Sequence, residues 1–139
     1  MEKKMFLKIL GNRTQDGEEE KVEFMTEAVY RSDEEGYSVE YKESEVTGME
    51  GTTTLIQFRP KEISISRMGT SNSHLRFEEG KKHVTMYETE VGMLSMGVSS
   101  SHISVQMDEG GGQAEFDYHL EINSVPASDN HFSMKVWEV

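Results

Sequence analysis

No cysteine occurs among the 139 residues. Disulfides, thiolate nucleophiles and cysteine-ligated zinc or iron–sulfur centres are therefore excluded together. Basic residues are scarce: 14 Lys and Arg stand against 26 Asp and Glu, a formal net charge of −12. Phosphate backbones and anionic lipid are held by basic side chains, so neither nucleic acid nor membrane is expected as a partner. No apolar run approaches the roughly 20 residues that cross a bilayer. The opening segment MEKKMFLKIL has a basic start but no small-residue cleavage site, and it is not read as a leader. A cytoplasmic, soluble protein is expected. Alanine and leucine number only three and six, so the best apolar helix formers are missing. The two prolines, Pro60 and Pro126, are both expected at strand ends.

What is present favours strands. Val, Ile, Thr, Phe and Tyr total 37, residues that fit a pleated, half-buried surface. Fifteen Ser and 12 Gly supply turns. Period-two alternation dominates, most clearly at 114–122. There Ala114, Phe116, Tyr118, Leu120 and Ile122 share one face, while Glu115, Asp117, His119 and Glu121 share the other. Val22, Phe24, Thr26, Ala28 and Tyr30 alternate in the same way. A Ser-Asp-Glu-Glu-Gly hairpin loop at 32–36 follows, and Tyr37, Val39 and Tyr41 continue the pattern. Further strands are expected at 52–58, 63–65, 74–78, 82–90, 91–98, 102–107 and 132–136. Turns are expected at 108–113 and 124–130. Met5 to Leu10 is apolar on both faces and is expected to be covered on both sides. Helix is confined to a turn or two, at 69–73 or 124–130. Short loops make consecutive strands antiparallel. Only closure removes the exposed edges of so long a meander. The chain is therefore read as all-β, one domain over 1–139, a single antiparallel up-and-down β-barrel of about 8–10 strands.

Six short patterns lie in order along the chain. They are Glu-Phe-x-Thr at 23–26, Tyr-x-Glu-Ser at 41–44, Thr-Gly-Met-Glu-Gly-Thr at 47–52, Arg-x-Gly at 67–69, Arg-Phe-x-x-Gly at 76–80 and Tyr-x-Thr-x-x-Gly-x-Leu at 87–94. Together, from residue 19 onward, they resemble the YwiB-like family of uncharacterised small bacterial proteins. The resemblance implies a closed barrel of calycin type, related in architecture to lipocalins and fatty-acid-binding proteins. It implies no established activity.

The same alternation nominates a site. If Ile63 and Ile65 point inward, so does Arg67; if Tyr37, Val39 and Tyr41 do, so does Glu43. Thr26 and Tyr30 share the inward phase of Phe24, and these groups are expected at one end of the interior. Tyr87 and Thr89 belong to a polar row with His83 and Thr85, placed at the lumen or its mouth. The site set is thus Thr26, Tyr30, Tyr41, Glu43, Arg67, Tyr87 and Thr89. Two roles compete. Arg67 and Glu43 form an internal ion pair that fixes register. Alternatively Arg67 grips an anionic ligand and Glu43 takes other donors. Whole-protein readings follow. The first is a barrel that binds a small anionic or amphipathic molecule. The alternative is a packed barrel that meets a protein partner or a second copy of itself. Ranked last is an acid–base enzyme using Glu43, Arg67 or Tyr87. No cofactor and no metal are expected, because the five His lack ligand spacing and are read as scattered surface residues. Gly-Gly-Gly at 110–112 lacks the strand-to-helix context of a phosphate loop and is read as a hairpin turn.

Overall fold

Alternating side chains bury one face of a strand and wet the other, and ten such strands need a common interior. The computed structural model describes residues 2–70 and 72–139, without the side chains of residues 46, 88 and 89. Its strands are β1 (Glu2–Gln15), β2 (Glu18–Asp33), β3 (Gly36–Lys42), β4 (Thr52–Arg59), β5 (Glu62–Gly69), β6 (Ser73–Glu78), β7 (Lys82–Thr89), β8 (Gly92–Asp108), β9 (Gly111–Ile122) and β10 (Val125–Glu138). A single 3₁₀ turn, Glu45–Thr47, is the only helical segment among the described residues. All ladders between strands are antiparallel, in the order β6-β5-β4-β3-β2-β1-β10-β9-β8-β7. The result is a nearly closed up-and-down barrel. Its seam lies between β6 and β7, while β1 and β10 pair at the centre of the sheet, Leu7 opposite Val136.

The inward phase is as the alternation requires. Met5, Leu7, Tyr30, Val39, Ile56, Phe58, Ile63, Phe77, Ile103, Phe116 and Met134 are all buried. Phe77, Phe116, Tyr118 and Phe132 form a continuous aromatic stack, with centroid separations of 4.7 Å for Phe77–Phe116 and 5.0 Å for Phe116–Phe132. Tilted and offset rings at such distances add to the burial of their area. These four rings occupy the interior at this level.

Four local expectations are corrected. Segments 91–98 and 102–107 are one strand, β8. A register shift between Ser100 and His102 absorbs an extra residue and lets the strand bend without ending. The last turn is Asn123–Ser124, both with positive φ, and β10 already begins at Val125; Pro126 stands inside that strand beside a second register shift. None of the described residues at 69–73 or 124–130 is helical. Strand β1 is covered on one side only: Leu10 is exposed, and Phe6 lies on the outer wall against Trp137, centroids 5.9 Å apart. The expected turn at the triple glycine narrows to Glu109–Gly110, and Gly111 and Gly112 already open β9. Gly111 and Gly112 have φ of 113° and 151°, and a Cβ at either would collide with the carbonyl oxygens of Val136 and Gln106.

Candidate functional site

Three neighbouring strands build the polar end of the interior. Tyr41 on β3 pairs with Thr54 on β4, which pairs with Arg67 on β5, so the three side chains form one inward row. Glu43 continues the phase of Tyr41 one step beyond β3. Its backbone N–H still donates to the Thr52 carbonyl at 2.8 Å, which holds the residue in line. The Glu43 side chain is 1% exposed and that of Arg67 23%. Thr54 Oγ1 donates to Glu43 Oε2 at 2.5 Å. Arg67 Nε stands 3.7 Å from the same oxygen. Glu43 Oε1 and Arg67 Nε are both buried, and neither has a hydrogen-bond partner. Both charges thus face inward as the sequence predicts, but the pair is left open. A buried donor and a buried acceptor stand unmatched side by side.

Tyrosines frame this pair. Burial raises the Tyr41 hydroxyl well above the ordinary tyrosine range, and the Glu43 carboxylate beside it adds to the effect; Arg67 opposes it. Burial also raises Tyr118, opposed by the positive charges of Arg67 and Arg13. Tyr118 therefore joins two features. It feels Arg67, and it lines a cleft of about 210 Å³ with Gly11, Arg13, Val22, Asn130 and Phe132.

The other nominated residues are not gathered here. Tyr30 is fully buried at the far end of the barrel, donating to the Asp108 carbonyl at 2.7 Å and stacking on Tyr37. Its hydroxyl is pushed above the ordinary range, chiefly by burial. It is a structural tether, not a neighbour of Glu43. Thr26 is half-buried opposite Leu7 and borders an open depression that Tyr41 also lines, where β3 diverges from β2 beyond the Val29–Glu40 pair. Tyr87 faces Leu94 on a stretch of the β7–β8 hairpin that runs past the last β8–β9 pair, Met96–Ile122. The Thr89 side chain lies outside the described residues.

A second cluster was not anticipated. On the outer wall of β9 and β10, His119 Nδ1 lies 2.9 Å from Asp129 Oδ1 and His131 Nδ1 lies 2.6 Å from Asp117 Oδ1. All four border an open groove of about 600 Å³ together with Asn12, Lys82 and Ser99. The signal was in the sequence: Asp-x-His occurs at 117–119 and again at 129–131. An antiparallel hairpin between the copies sets each Asp opposite the other's His. No group of three or more His, Asp or Glu among the described residues can hold a metal ion, and no helix there is long and apolar enough to cross a membrane.

Residues 7–134 match the model of a family described as a domain of unknown function, DUF1934. The chain belongs to that family. The DUF1934 fold also matches the crystal structure of the ywiB protein from Bacillus subtilis, with a TM-score of 0.81 and 18% sequence identity over 99% of this chain and 93% of that one. At that identity the likeness concerns architecture alone. No curated protein matches this DUF1934 chain.

Proposed function

We propose that the barrel binds a small anionic molecule at its polar end, with Arg67 gripping the charged head and Glu43 orienting it. One observation carries this reading: Arg67 Nε and Glu43 Oε1 are buried and neither has a hydrogen-bond partner, although Nε stands 3.7 Å from the other oxygen of Glu43. Guanidinium and carboxylate are strong hydrogen-bonding groups, and leaving them unmatched is costly unless a further molecule matches them. Thr54 serves only Oε2 of Glu43, which leaves Oε1 open to a further donor. The cleft of about 210 Å³ that Tyr118 lines has neither Arg67 nor Glu43 in its wall, so a guest that spans the two is a compact molecule. The Phe77–Phe116–Phe132 stack, with centroids 4.7 and 5.0 Å apart, takes up interior space that a long acyl tail would need. The ligand class is therefore a short or aromatic carboxylate, not a fatty acid.

The test is thermal unfolding with benzoate and with hexanoate. A ligand that binds only the folded state raises the melting temperature with concentration. Wild type should shift with benzoate, and Arg67→Met should not. Absence of any shift in wild type, or an equal shift in Arg67→Met, overturns the reading. The filled aromatic core supports a second reading, a packed barrel working through its outer surface. Failure with every carboxylate would favour it.

A further inference from the structure

Strand β7 closes the sheet order at the seam and carries a ladder on one side only, to β8. Edge strands are normally blunted by charge, proline or a bulge. From 83 to 87, β7 reads His-Val-Thr-Met-Tyr, with none of these, in a chain that is otherwise strongly acidic. Val84 is 61% and Met86 58% exposed on its outer face, and Met93 on the adjoining β8 is 55% exposed. The hairpin turns through residues 90 and 91, with Thr89 opposite Gly92. In a two-residue hairpin the flanking pair exchanges both backbone hydrogen bonds, and bonded pairs then alternate. His83, Thr85 and Tyr87 thus direct their N–H and C=O groups at β8. Val84 and Met86 direct theirs at the open side.

We propose that this edge pairs with the same edge of a second copy of the chain, antiparallel about a two-fold axis through Thr85. The strand is complementary to itself under that operation. Val84 of each copy falls opposite Met86 of the other, and both are outward residues whose backbone groups are unclaimed by β8. His83 falls opposite Tyr87 on the inner face. Lys82, bridged to Glu121 in its own chain, opens the strand, and the two-fold sets it opposite Glu88 of the other copy. Antiparallel pairing therefore lays the basic end of one copy along the acidic end of the other. Such an isologous contact extends the sheet without a free heterologous surface. It also joins the two chains along a stretch, 83–87, that holds no Asp or Glu, which limits mutual repulsion. The proposal does not depend on the carboxylate site.

Light scattering coupled to size exclusion, at roughly 100 µM chain, reads it directly. Wild type should run at twice the chain mass of 15.8 kDa. Met86→Pro removes only an outward-pointing N–H, which an edge strand tolerates, and should run at the single-chain mass with an unchanged circular dichroism spectrum. Should that variant fail to fold, the pair Val84→Lys and Met86→Lys keeps the backbone intact and sets lysines against lysines across the contact. It too should be monomeric. A wild type at 15.8 kDa throughout the concentration range, or a dimer that persists in a folded variant, overturns the proposal. The first of these results would leave the edge to some other extended chain or to solvent.

Discussion

The Glu79 carboxylate accepts a hydrogen bond from the backbone N–H of Ile103 at 2.9 Å, across the seam that no antiparallel ladder closes. Ile103 pairs with Phe116 on its other side, just after the register shift in β8. Its N–H would otherwise face a gap. Glu79 is anchored in turn: its own N–H donates to the Lys61 carbonyl at 3.0 Å, and Gly80 N–H donates to the Ser100 carbonyl at 2.9 Å. A side chain thus stands in for the missing strand neighbour.

Amide exchange at Ile103 should report this closure. In Glu79→Ala its protection should fall by at least about tenfold, whereas Glu79→Gln keeps an acceptor and should lose less. The Ile103 N–H, with help from Lys61, holds the Glu79 carboxyl below its usual range. A depressed carboxyl stabilises the fold above its ordinary pKa, and that contribution disappears as pH falls through the lowered value. Protection at Ile103 should therefore decline selectively below about pH 4. Uniform decline of all core amides together would show that the seam has no separate closure.

Phe116 and Glu115 are neighbours on opposite faces of β9, 1% exposed for the former and 51% for the side chain of the latter. Phe116→Ala should cost about 3–5 kcal/mol, since it opens a cavity inside the aromatic stack. Glu115→Ala should stay within about 0.5 kcal/mol of wild type. Urea denaturation of the two variants decides it, and equal costs would refute the half-buried strand.

The open geometry at Glu43 predicts an asymmetry. Glu43→Ala takes the acceptor from buried Thr54 and should cost about 2 kcal/mol. Arg67→Met breaks no hydrogen bond at Nε and should cost no more than about 1 kcal/mol in the free protein. A double-mutant cycle checks the coupling directly. Coupling above about 3 kcal/mol would identify a tight structural pair and remove the reason for a ligand.

Three of the five tyrosines, Tyr30, Tyr41 and Tyr118, have ionisations raised mainly by burial. A group whose folded pKa is raised contributes fully below its unfolded pKa and is lost as pH climbs through the folded value. Stability should hold to about pH 10 and fall steadily above it. Tyrosinate absorbance followed with pH should show these three ionising late, together with unfolding. Early, reversible ionisation of all five without loss of structure would contradict their burial.

Much of this was legible in the chain. Alternation at 114–122 placed Ala114 and Phe116 inside and Glu115 outside, because a period of two fixes facing without reference to partners. It placed Glu43 and Arg67 inside for the same reason. Phase, however, says nothing about position along the barrel axis. Tyr30 shares the phase of Thr26 and yet belongs to the opposite end, since strand offset is set by pairing. The break expected between 98 and 102 was a bulge, which reads like a loop because it interrupts the alternation. Glu121 was expected on the wet face and lies there, but it is tied to Lys82 at 2.5 Å. The two Asp-x-His triplets are silent until the hairpin register is known, since their meaning depends on pairing and not on spacing.

The placement of the seam also sets an order of events during synthesis. Strand β1 is made first, yet one of its two ladders awaits β10, with Met5 opposite Glu138. Until then β1 to β6 can form only part of the sheet, with the long edge of β1 waiting for a partner. The contacts that finish the barrel are thus the most distant in the chain, which favours slow folding with a late, concerted final step. A ribosome-stalled chain ending before β10 should expose Leu7 and Ile9 to chaperones, and addition of β10 should hide both together.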